Sequence, residues 1–228
     1  MIELDLDRLF GDDDDPTLGI SIRLSAVERY LDLLTEFVPH IQDQTLTRWK
    51  ANIQRKSSEL TMEDIVDEIE DVKSVIEHLI PSNFYGSFVI SLYAAVESSV
   101  TEIAGYVQKK ESARLSLSDL RESNTLKRLS LFLETLMKET LNAPQDVIES
   151  VRQLQLVRNV LAHANGSLKE QRQDRRTDLL RLAESKVGIL VENNSVVVTA
   201  PYLRYAFSSA ESFLRSLLAQ VANRYPVK

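Results

Sequence analysis

Cysteine is absent from this 228-residue chain. Disulfides and thiolate metal ligands are thereby excluded, and a reducing compartment is compatible. Imidazole is scarce too, with three histidines. His40 and His78 fall in different predicted helices without ligand-spaced partners, so no metal site is expected. The six glycines form no phosphate loop ahead of a helix and no nucleophile elbow, and no cofactor is implied. Apolar runs are short: the longest candidate, Phe84 to Tyr93, is broken by Gly86, Ser87 and Ser91. That is less than the roughly 18 to 20 residues a bilayer span needs, and no membrane partner is expected. The first residues are acidic where an export signal is basic, so the chain is expected in the cytoplasm.

What is present is an ordinary globular composition, 43% hydrophobic and 27% charged, in a chain long enough to bury one good core. The net charge of −7 argues at first against a nucleic-acid partner, because Lys and Arg drive phosphate binding. The charge is uneven. Residues 1–80 hold 8 Lys and Arg against 19 Asp and Glu, and residues 81–228 hold 19 against 15. Solvated helix faces or a partner surface would each produce that asymmetry.

Met1 to Leu18 reads as a flexible acidic lead-in, since Asp12 to Asp15 repel one another and Pro16 breaks regular structure. Residues 19–228 read as one helical domain. Leu24, Val27, Leu31, Leu34 and Val38 recur at spacings of three and four, predicting a helix from Ser21 to Gln42, with Trp49 in a helical link. Thr61 to Ile80 carries Ile65, Ile69, Val72, Ile76 and Leu79 on one face, and Pro81 is expected to end it. A helix starting at Asn83 is apolar on more than one face and belongs mid-bundle. Leu115 to Arg121 is a connector or a short helical turn. Thr125 to Leu141 is the next helix. Pro144 opens another, with Val147, Ile148, Val151, Leu154, Val157 and Leu161 as its buried stripe. Lys169 to Lys186 is a charged helix. Gly188 to Val191 and Val196 to Thr199 flank Asn193-Asn194 as a β-hairpin. Pro201 opens the last helix, through Leu203, Phe207, Phe213, Leu214, Leu217 and Val221. The fold class is an all-α helical bundle with one small hairpin before the C-terminal helix.

Near the C-terminal end of the helix after Pro144 stands Arg158-Asn159-Val160-Leu161-Ala162-His163, followed by Ala164-Asn165-Gly166 as a helix stop. Asn159 and His163 are four apart and share a face, which Arg152 and Gln155 extend toward the N-terminus. Arg158 lies about 100° round the helix from Asn159. Imidazole takes or gives a proton near neutrality, and guanidinium grips phosphate oxygens. Arg-Asn-x3-His is expected by chance about 0.01 times in a chain of this composition. The triplet therefore carries more signal than the Arg–His spacing alone. The plain alternative is a histidine that favours the helix dipole at a C-terminus.

This stretch resembles the Arg-x4–6-His motif of the HEPN superfamily, in the form with a polar residue after arginine. Phe84-Tyr85-Gly86-Ser87-Phe88-Val89-Ile90-Ser91-Leu92-Tyr93-Ala94-Ala95-Val96-Glu97-Ser98 resembles the central helix of bacterial HEPN-like nucleases, an apolar run ending in Ala-Ala-x-Glu. The resemblance covers roughly residues 60–225. It implies a helical bundle, a homodimer with the two motifs opposed, and metal-independent RNA cleavage to a 2′,3′-cyclic phosphate. Arg158, Asn159 and His163 would be the catalytic set. Toxin–antitoxin or defence roles accompany such proteins, which implies an antitoxin protein as a possible partner.

Glu97 interrupts an apolar helix and must find a partner, Arg158 being one candidate and an edge facing solvent the alternative. Lys169, Arg172, Arg175, Arg176, Arg181 and Lys186 could track an RNA backbone. Interleaved Glu170, Asp174, Asp178 and Glu184 favour an exposed helix laced with ion pairs. The candidate RNA contacts are thus Arg152, Gln155, Arg172 and Arg175. The rival reading is a non-catalytic dimerisation or protein-interaction module.

Overall fold

Asp15 and Pro16 start a helix instead of preventing one. In the computed structural model, which describes residues 15–56, 61–122, 124–185 and 187–226, the Asp15 carboxylate accepts the Thr17 N–H at 2.9 Å. That is the bond of an N-capping residue, and a proline in the first turn needs no N–H partner. The flexible segment expected over residues 1–18 is therefore corrected at Pro16, Thr17 and Leu18, the first turn of α1 (Pro16–Lys56). Met1 to Asp14 lie outside the described residues. Since α1 is one helix of 41 residues, the separate link around Trp49 is helix as well.

Pro81 does not end the next helix. Thr61 caps α2 (Met62–Ser74) and exchanges bonds with Asp64 in a capping box. Those Thr61 bonds hold the Asp64 carboxyl below its ordinary value. A π turn over Val75–Leu79 then leads directly into α3 (Ile80–Lys110). Proline inside a helix removes one N–H, and its ring crowds the carbonyl four residues back, here Glu77. A wider turn relieves such crowding. Its Ile80 N–H bonds to the Val75 carbonyl. The Ile76 carbonyl is released and accepts the Gln42 side chain at 2.7 Å. The helix expected to begin at Asn83 is thus a continuation.

A 3-10 turn (Leu117–Asp119) precedes α4 (Thr125–Leu136), which stops short of the expected Leu141. Pro144 lies one residue before α5 (Gln145–Ala164) and gives its carbonyl to the Ile148 N–H at 3.0 Å. α6 (Gln173–Glu184) begins later than Lys169. Strands β1 (Ile189–Glu192) and β2 (Ser195–Val198) pair antiparallel, Ile189 opposite Val198 and Glu192 opposite Ser195. Asn193 and Asn194 take φ of 48° and 66°, the hand that a two-residue hairpin turn requires. α7 (Ala200–Arg224) closes the chain of elements. This is an all-α bundle with one small hairpin before its C-terminal helix.

By backbone proximity the chain divides into two compact units interleaved along the sequence. The first takes Met1–Val27, Leu92–Gln153 and Phe207–Lys228, so far as these are described. Val96, Val100, Ile103, Leu129, Phe132 and Phe213 are buried in it. The second takes Glu28–Ser91 and Leu154–Ala206, with Val38, Phe88, Val89, Val157, Val160 and Leu179 buried. Along α5 the buried stripe runs Ile148, Val151, Leu154, Val157, Val160 and Ala164. Val160 is buried in place of the expected Leu161, which is half-buried; both positions are compatible with helical steps from Val157 to Ala164. Leu161 sits beside Gly86, where an added Cβ would come within 3.9 Å of it.

Joined through the π turn, Met62–Lys110 forms a helix containing an 18-residue stretch long and apolar enough to cross a membrane, which the sequence reading did not foresee. Of that stretch, 44% is buried within the protein; Phe88, Val89 and Leu92 of α3 are among the buried residues.

Candidate functional site at the end of α5

The motif helix stops where its sequence says it should. Asn165 and Gly166 have φ of 45° and 82°, and the Gly166 N–H returns to the Val160 carbonyl at 3.0 Å. A Cβ on Gly166 would meet the Val196 carbonyl oxygen at 3.1 Å. Backbone conformation and close approach both call for glycine here. The loop is then tied to the hairpin. The Gly166 carbonyl accepts the Val196 N–H, and the Asn194 carbonyl accepts the Leu168 N–H, each at 2.9 Å. Ser167 bridges Ser195. Buried Val157 and Val160 below and the hairpin beside it hold this end of α5 in place.

His163 is exposed and Asn159 half-buried. With Ala164, Glu170, Gln171 and Arg175 they line an open cleft of about 400 Å³. Arg158 does not line it, but its Nη1 donates to Asn159 Oδ1 at 2.9 Å. The amide thus links guanidinium and cleft. Turning Oδ1 toward Arg158 leaves the Asn159 Nδ2 hydrogens for another acceptor.

The remaining predicted residues divide. Arg172 is 3.6 Å from Asp174 and Arg181 3.7 Å from Asp178, as expected of an ion-paired helix face. Arg176 donates to Asn194 at 3.4 Å. Arg175 makes no such bond among the described residues and faces the cleft with His163. Lys186 lies outside the described residues. Arg152 belongs to the first unit, 3.5 Å from Glu149, and Gln155 is half-buried in the second. Glu97 is half-buried in the first unit. Its Oε1 accepts the Thr125 hydroxyl at 3.0 Å, and Thr125 Oγ1 accepts the Tyr93 hydroxyl at 3.2 Å. An ionisable group in an apolar helix finds a hydroxyl there, a partner that spacing along one helix cannot reveal.

The chain fold also supplies neighbours that the sequence reading missed. His78 Nδ1 lies 2.9 Å from Glu192 Oε2. With Ser82, Asn83, Asn165 and Asn193, this pair lines a second cleft of about 300 Å³. Glu170 and Gln171 enter the first cleft from the irregular loop before α6, where no helical period marks them. Among the described residues no group of three His, Asp or Glu side chains is placed to hold a metal ion. Comparison with protein-family models, curated proteins and solved structures gives no match, so any function for this cleft rests on its own residues.

Proposed function

We propose that the chain is a metal-independent endoribonuclease of HEPN type, acting in the cytoplasm as a toxin or defence ribonuclease. The observation that carries this reading is that His163, Asn159 and Arg175 line one open cleft while Arg158 bonds Asn159. His163 handles protons. Neutral imidazole takes the proton of a ribose 2′-hydroxyl as that oxygen attacks phosphorus. The bond to the 5′ oxygen breaks, and a second, protonated imidazole returns a proton to the departing oxygen. One chain contributes one such histidine, so a homodimer with opposed motifs supplies the acid as well as the base. The products are a 2′,3′-cyclic phosphate and a 5′-hydroxyl. Arg158 and Arg175 are the cations for the phosphorane charge, and Asn159 positions the substrate by its amide hydrogens. An antitoxin protein would be the natural partner of such an activity.

Purified protein incubated with RNA in excess EDTA should degrade it, and His163→Ala should lose that activity while keeping its helical circular dichroism. Equal degradation by the variant rejects the assignment. The second reading, a non-catalytic interaction module, draws support from the exposed apolar residues Met62, Val66 and Ile69 on α2. Growth inhibition on expression, relieved by His163→Ala, separates the two.

A further inference from the structure

From Pro39 to Ile80 no described residue is buried, although Val38 and Pro81 at the two borders are. This part of the second unit comprises the C-terminal part of α1, the helix α2 and the π turn after it, with Gln42 of α1 bonded to Ile76 of the π turn. Half-buried apolar residues are Ile41, Leu46, Trp49 and Ile53 on α1, Ile65 and Val72 on α2, and Ile76 in the π turn. Part of the apolar surface of α2 is exposed. At about 100° per residue the apolar side chains of α2, from Val72 round through Ile65, Ile69 and Met62 to Val66, span about a third of the helix circumference. Met62, Val66 and Ile69, spaced four and three, form an uncovered flank, with Met62 76% and Ile69 44% exposed.

Beside that flank stand Glu63 and Glu70 of α2, and beyond it Glu77 of the π turn, all exposed and with no ion pair among the described residues. A carboxylate row beside an apolar seam is how one helix selects a partner helix carrying Lys or Arg at the facing positions. A second copy fits badly. It would set the same acidic row against itself, in a stretch (62–79) whose seven carboxylates face only Lys73 as a permanent cation. We propose that the Met62–Val66–Ile69 flank of α2, with Glu63, Glu70 and Glu77, is the docking surface for a basic amphipathic helix of another protein. It is separate from the cleft at His163 and does not depend on the nuclease reading.

The test uses the full chain and two synthetic 21-residue helical peptides without tryptophan. Both have leucine at the a and d positions, and one has lysine and the other glutamate beside them. Binding is read from the fluorescence of Trp49, the single tryptophan, and from peptide anisotropy. The lysine peptide should bind saturably and the glutamate peptide about 100-fold more weakly. Ile69→Asp should weaken the lysine peptide by about tenfold or more. Glu63→Lys with Glu70→Lys and Glu77→Lys should transfer the preference to the glutamate peptide. These positions are exposed, so circular dichroism and melting temperature report whether each variant keeps its fold. Equal binding of both peptides, or of neither, overturns the proposal. So does self-association in sedimentation that Ile69→Asp abolishes, which would assign the flank to a second copy. Binding of the flank to lipid vesicles overturns it as well.

Discussion

The end of α5 and the distal α1–α2 pair belong to one unit, yet the chain builds them in opposite ways. At the end of α5, polar side chains face an open cleft while buried Val157 and Val160 and three backbone bonds at Gly166 and Leu168 fix the support beneath them. Between Pro39 and Ile80 no described residue is buried, and the apolar side chains Met62, Val66 and Ile69 face water. A fixed support under exposed polar groups suits positioning of a reacting phosphate. Uncovered apolar surface with a charged border suits recognition of another chain. One unit thus offers a place for chemistry and a place for contact.

The sharpest way to break the comparison is at the cleft. His163→Ala should lower RNA cleavage by about 10²–10⁴-fold with a melting temperature unchanged, because the side chain is exposed. A lost fold instead would make His163 structural. The second way is through stability. Phe88→Ala, in the packed part of the unit, should cost about 3–5 kcal/mol in denaturant unfolding, since the ring is fully buried. Ile69→Ala should stay within about 0.5 kcal/mol. Similar losses at both sites would mean that the α1–α2 pair is covered after all.

Smaller effects come from two tyrosines. Tyr202 is buried and its hydroxyl has no hydrogen-bond partner among the described residues; burial together with Tyr205 pushes that hydroxyl's ionisation upward. Tyr202→Phe should therefore raise stability, by about 1 kcal/mol, measured by the denaturant midpoint. Tyr225 lies in the first unit, where burial and its bond to Glu111 push its hydroxyl from 10.0 up to about 12. A raised folded value favours the neutral form. Its contribution is full below 10.0 and is lost as pH rises through about 12. Tyr225→Phe should lose that contribution at neutral pH, where the bond to Glu111 is intact, and should flatten the fall in stability over the window.

Much of this was legible in the sequence, for reasons tied to particular residues. Periodic apolar spacing located the helices from Leu24, Phe132 and Leu217, and Asn193-Asn194 located the hairpin turn, because those signals are local. Pro16 and Pro81 misled. Whether a proline stops, starts or bends a helix depends on the Asp15 cap and on the Val75–Leu79 π turn, neither of which proline itself announces. The α2 stripe was legible as one apolar face, but period alone does not show what covers it. At the cleft, Asn159 and His163 were legible from their spacing of four. Arg175 stood in the sequence as one cation among several. Only the fold separates it from Arg172, Arg176 and Arg181, whose charges are taken up locally.

The most direct measurement follows the ends of a cleaved RNA. A labelled oligoribonucleotide and its counterpart lacking 2′-hydroxyls are incubated with the protein in EDTA, and the termini are identified by mass. The account predicts a 2′,3′-cyclic phosphate and a 5′-hydroxyl from the ribonucleotide, no cut in the deoxy counterpart, and neither product with His163→Ala. Intact RNA, a 5′-phosphate terminus, or cleavage of the deoxy strand would contradict it.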